Sequence, residues 1–136
     1  MSPSLAIREE VKNMTIHEAI AMADSLRDNS MPTNVKIGWL RNVDQTIYEE
    51  LIRGREGEGE VTYPNYGEED LDKELLVPPP YDMLYVFRLE AEICYAFGEI
   101  KKQANALIRY NELISSYAAK YIREHRQIDT ARAVFY

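Results

Sequence analysis

Two stretches of helical periodicity are separated by a segment that cannot itself be helix. Residues 55–82 hold three of the six glycines and four of the six prolines, with Gly54 just before them. Pro78-Pro79-Pro80 offers no N–H donor over three residues, so an α-helix cannot pass through it. The chain must therefore fold as helices before this segment packed against helices after it. A connection this long inside a domain is uncommon unless it is functional or disordered. Val61, Tyr63, Tyr66, Leu71, Leu75, Leu76 and Val77 lie within it, more apolar groups than a solvated linker needs. The expectation is a projecting loop that orders against a partner. Val61–Tyr63 and Glu74–Val77 are candidates for a short β-hairpin.

The same segment carries the charge. Its acids are Glu56, Glu58, Glu60, Glu68, Glu69, Asp70, Asp72, Glu74 and Asp82, against the bases Arg55 and Lys73. The difference equals the net charge of the whole 136-residue protein, −7, and the remaining 14 bases and 14 acids balance. A neutral body with one acidic segment does not suit a nucleic-acid coat, which needs a basic face to displace counterions from phosphate.

Four helices are expected around the segment. Thr15-Ile16-His17-Glu18 is a capping box, followed by Ile16, Ala19, Ile20, Ala23 and Leu26 at helical spacing; Asp28-Asn29-Ser30 ends this helix. A second helix starts at Pro32-Thr33, where proline suits the first turn. It carries Ile37, Leu40, Val43, Ile47 and Leu51 on one face and stops at Gly54. A third runs from Tyr81 to Phe97, with Leu84, Phe87, Ala91, Cys94 and Tyr95 on one side and Tyr85, Val86, Leu89, Ile93 and Phe97 covering much of the rest. A helix apolar almost all round belongs in a core or an interface. Gly98 breaks it. The fourth runs from Glu99 to Glu124 or His125 with the stripe Ile100, Ala104, Leu107, Ile108, Ile114, Tyr117, Ala118, Tyr121 and Ile122. The expected fold is all-α, a small bundle of about four helices with a long acidic loop between helices two and three. Residues 1–14 form an N-terminal arm or short helix, 15–125 the helical domain with its 55–80 acidic loop, and 126–136 an extended C-terminal docking tail.

Motifs for chemistry are missing. Gly54-Arg55-Glu56-Gly57-Glu58-Gly59 lacks the Lys-Ser/Thr of a phosphate loop, and its acids repel phosphate. There is no Glu-x-x-His for a di-iron bundle. His17 and His125 have no ligand partners at metal-binding spacing, and Glu56, Glu58 and Glu60 lack the spacing of a calcium loop. Cys94 reads as a buried thiol, and a single cysteine excludes an internal disulfide framework and fits a reducing compartment. No apolar run is long enough to span a membrane, and none resembles a signal peptide. The sequence predicts no enzyme, no metal and no cofactor.

Ten tyrosines stand out. Tyrosine joins an apolar body to a polar tip and suits surfaces buried against a partner. Tyr63, Tyr66 and Tyr136 lie outside the expected helices and are candidate interface residues. With Glu56, Glu58, Glu60, Glu68, Glu69 and Asp70, the first two make up a candidate partner-binding loop. The apolar tail residues Val134, Phe135 and Tyr136 are a second candidate docking element.

One family pattern fits these features. Ile37-Gly38-Trp39-Leu40-Arg41-Asn42-Val43-Asp44-Gln45-Thr46-Ile47-Tyr48-Glu49-Glu50-Leu51-Ile52 resembles the second helix of small head–tail connector (adaptor) proteins of long-tailed bacteriophages and prophages. Glu74–Tyr85, with its Pro78-Pro79-Pro80, is similar to their entry into the third helix. Gly98-Glu99, Tyr110-Asn111-Glu112 and Tyr117–Tyr121 are similar to their last helix. The resemblance spans Thr15 to His125. It implies a non-enzymatic virion part, assembled in the bacterial host cytoplasm, that forms a ring of about twelve copies. Such a ring docks below the portal protein, extends the DNA channel and meets the next neck or tail-completion protein. On that reading the acidic loop lines the channel, so DNA passes without specific binding, or contacts the next ring; Val134–Tyr136 anchors to the portal. The competing reading is an acidic helical regulatory or inhibitor protein that binds a basic partner in the cytoplasm.

Overall fold

The computed structural model describes residues 12–128. Among them the fold is all-α, with four α-helices and no strand. They are α1 (Ile16–Leu26), α2 (Thr33–Ile47, continued by a wider π turn over Tyr48–Ile52), α3 (Met83–Ala96) and α4 (Ile100–Glu124). The tail residues Val134, Phe135 and Tyr136 and most of the N-terminal arm lie outside the described residues.

Helix α1 starts where the capping box places it. Thr15 Oγ1 accepts from the Glu18 N–H at 3.1 Å, and the Glu18 carboxylate accepts from the Thr15 N–H at 2.9 Å. These bonds to Thr15 hold the Glu18 carboxyl below its usual range. Thr15→Ala removes one acceptor from the helix start, and a loss of about 1 kcal/mol is expected in urea unfolding. Ile16, Ala19, Ile20 and Ala23 form the buried face.

Helix α2 presents Ile37, Leu40, Val43 and Ile47 to the same core, with Leu51 and Ile52 continuing from the π turn. Lys36 is also buried, its Nζ 2.8 Å from Asp24 of α1, so the charge is paired where it leaves water. Gly54, at φ +82°, ends the run in a conformation that only glycine adopts freely.

Helix α3 is the central element. Leu84, Tyr85, Val86, Leu89, Ala91, Ile93 and Cys94 are all buried, which is why its sequence is apolar on several sides. Tyr95, assigned by spacing to the buried side, is instead exposed. The chain reverses at Gly98 (φ +74°), and α4 then packs back along α3, leaving the corner outside. The periodicity of α4 is likewise only half core. Ala106, Tyr117 and Tyr121 are buried, whereas Ile100, Ala104, Ile108 and Ile122 from the same expected stripe face out. One neighbouring helix cannot cover a stripe that wide.

The expected hairpin does not form. Val61–Tyr63 and Glu74–Val77 make no ladder with each other. Glu74 forms an isolated antiparallel bridge to Thr15, and Arg55 forms one to Gln127. The N-terminal chain competes better for the Glu74–Val77 edge: the Leu75 N–H donates to Met14 O at 2.8 Å, and the Ile16 N–H to Lys73 O at 3.0 Å.

Candidate functional site

The acidic segment does not project as a loop; most of it is laid on the bundle. Pro64, Tyr66, Leu75 and Val77 are buried, and Val61, Leu71 and Leu76 are half-buried. Two 3-10 turns, Glu58–Glu60 and Glu68–Asp70, fold the chain between these contacts. Of the apolar residues that suggested a partner, all but Tyr63 are buried or half-buried within the domain.

The centre of the attachment is Asp44, on α2 and 1% exposed. Its carboxylate accepts from Tyr85 OH on Oδ1, and from Tyr66 OH at 3.2 Å and the Leu76 N–H at 3.3 Å on Oδ2. Tyr85 OH in turn accepts from the Val77 N–H at 2.8 Å. One buried carboxylate thus joins α2, α3 and both arms of the acidic segment. No cation is among its hydrogen-bond partners. Burial lifts its pKa to about 6, against the opposing pull of the bonds from Tyr85, Leu76 and Tyr66. Burial, with the nearby Asp44 charge, pushes both tyrosine hydroxyls upward as well. Around this clamp Arg41 donates to Tyr66 O at 2.9 Å and Gln45 to Pro64 O at 2.8 Å, so about one turn of α2, from Arg41 to Gln45, grips the segment.

The sequence-assigned loop residues divide into two groups. Tyr66 is core and closed to a partner, because its hydroxyl and ring are used by Asp44 and the bundle. Glu58 caps the turn by accepting from the Gly54 N–H at 2.7 Å. Asp70 accepts from the Gly67 N–H at 2.8 Å and pairs with Lys73 at 3.4 Å; the Gly67 bond holds its carboxyl below the usual range. Glu56, Glu60, Glu68 and Glu69 are exposed. Glu56 also accepts from the Arg126 N–H at 3.1 Å, which ties the segment to the end of α4. Tyr63 is 41% exposed and stands edge-on to Tyr48, ring centroids 5.1 Å apart.

Between Val61–Tyr66 and Lys73–Leu76 runs an open groove of about 500 Å³, with Asp44 at its floor and Glu60 and Glu74 among its walls. Among the described residues no three His, Cys, Asp or Glu side chains converge to hold a metal ion. Cys94 is buried and its thiol is pushed up, first by burial and then by the Glu99 charge. No helix among the described residues is long and apolar enough to cross a membrane.

Asp44 escaped sequence reasoning as a site residue although a signal was present. It lies four residues after Leu40 and three before Ile47, inside the apolar stripe of α2. A carboxylate at a core position of a helix needs buried donors, and two tyrosines supply them.

Comparison of the chain with protein-family models, with curated proteins and with solved structures gives no match.

Proposed function

We propose that this protein is a structural head–tail connector of a phage neck. In this reading it is a subunit of an oligomeric ring below the portal protein that carries the DNA channel towards the tail. The observation that carries the reading is the clamped acidic segment. Glu56, Glu60, Glu68 and Glu69 are exposed on a segment fixed to a bundle whose remaining charges balance. A repeated ring of such segments facing a channel makes a negative wall, and phosphate is repelled from it instead of being held. A wall of this kind needs fixed carboxylates more than it needs catalysis. The helical architecture and the resemblance of residues 15–125 to the connector family add to it.

The test is native mass measurement of the protein with a purified portal, ideally that of its own phage. A portal-bound ring of many copies is the expected product, and Glu→Gln changes at positions 56, 60, 68 and 69 are expected to leave it intact while raising retention of DNA in the channel. A protein that ignores the portal and instead binds a basic protein one-to-one through these four carboxylates would replace the connector with the inhibitor reading.

A further inference from the structure

One corner of the bundle is apolar and uncovered. Helix α1 ends at Leu26, α3 ends at Ala96 and α4 begins at Ile100. Leu26, Tyr95, Phe97 and Ile100 are 52%, 63%, 46% and 60% exposed. The corner is held in shape: Arg27 lies 4.7 Å over the Phe97 ring and pairs with Glu99 at 2.8 Å. Beside it a shallow cleft of about 240 Å³ is bounded by Leu26, Ala106 and the bases Lys102 and Arg109. Single exposed apolar residues are ordinary, but four large ones at one helix junction are the composition of a contact surface.

We infer that this corner receives residues 133–136, Ala-Val-Phe-Tyr, of a second copy of the same chain. The described chain leaves the bundle at the opposite end. The Ile128 N–H donates to Gly54 O at 2.7 Å, and Arg55 donates to His125 O at 3.2 Å, which fixes the exit beside the last turn of α4. Helix α4, with 25 residues, is about 37 Å long. Tyr136 lies eight residues beyond Ile128 and so reaches at most about 29 Å from it. A copy's own Phe135 therefore cannot cover its own corner, whereas a neighbour's can. Donor and receiver are different surfaces, so the contact is heterologous and propagates into a closed ring or an open filament. It reassigns the tail from the portal to the next subunit, and it stands on the protein's contact with itself, without the connector reading.

The test uses the full chain, a copy lacking 133–136, and a copy carrying Phe97→Ser and Ile100→Ser, with no portal present. Sedimentation is expected to show concentration-dependent assembly of the full chain. In each altered copy alone that assembly should weaken about 30-fold or more, as for loss of a central aromatic anchor. Mixing the two altered copies is expected to give one-to-one pairs and nothing larger, since one intact tail then meets one intact corner. A free peptide of residues 129–136 should dissolve the full-chain assemblies, a readout that needs no variant to fold. A full chain that stays monomeric, an altered copy that assembles as the full chain does, a mixture without pairs, or an inert peptide would each overturn the inference.

Discussion

Asp44→Ala is expected to destabilise the protein by about 3–5 kcal/mol, a large share of the 5–15 kcal/mol that holds a domain of this kind together. The substitution leaves Tyr66 OH, Tyr85 OH and the Leu76 N–H without their buried acceptor. Each orphaned donor costs about 1–3 kcal/mol, less whatever water enters through the adjoining groove. Calorimetry of the variant measures the loss. The double variant Asp44→Ala/Tyr66→Phe should lose less than the sum of the two single changes, because the second removes a donor the first has stranded. Strict additivity would mean that the carboxylate and Tyr66 do not act as a unit. Proteolysis should also begin within residues 55–77 in Asp44→Ala, since the clamp is what fastens that segment to α2.

Acidification from pH 7 to pH 5 is expected to raise the stability of the native protein. Asp44 titrates at about 6 in the folded state, above its ordinary 3.8. The folded protein then binds the proton more tightly than the unfolded chain does. The resulting stabilisation is fully present below pH 3.8 and is lost as pH rises through about 6. Its full size is about 3 kcal/mol, of which about 1 kcal/mol develops between pH 7 and pH 5. Asp82, half-buried and raised by burial, adds in the same direction. The carboxyls of Glu18, Glu49, Asp70, Glu99 and Glu124 are held below their usual range by bonds to Thr15, Arg53, Gly67, Arg27 and Lys120. Their contributions are lost as pH falls further, so the gain should reverse below about pH 4. Urea unfolding at pH 7, 6 and 5 reads the effect. In Asp44→Asn the gain should shrink to what Asp82 supplies. An unchanged rise in that variant would move its origin away from Asp44.

The helices were legible because their signals are local. The Thr15–Glu18 box, the Ile37–Leu40–Val43–Ile47 face and the glycines at 54 and 98 each act within one or two turns, and the structure puts the helix ends within a few residues of them. The acidic segment was legible as a break but not as a packed element. What fixes it is Asp44, some twenty to thirty residues away from Tyr66 and Leu76 in sequence, and no local pattern encodes that meeting. Tyr66 and Tyr63 look alike in sequence; one became core and the other stayed 41% exposed, because only Tyr66 faces the buried carboxylate. The outer half of α4 misled for the opposite reason. Its stripe is helical and apolar, but periodicity does not tell how much of a face a single partner helix can cover.

Cryo-electron microscopy of the particle's neck tests the connector reading most directly. The account predicts a ring of this chain immediately below the portal, with Glu56, Glu60, Glu68 and Glu69 on the wall that surrounds the DNA. A neck in which no density fits the α1–α4 bundle, or a ring that turns these carboxylates to its outer surface, would contradict it.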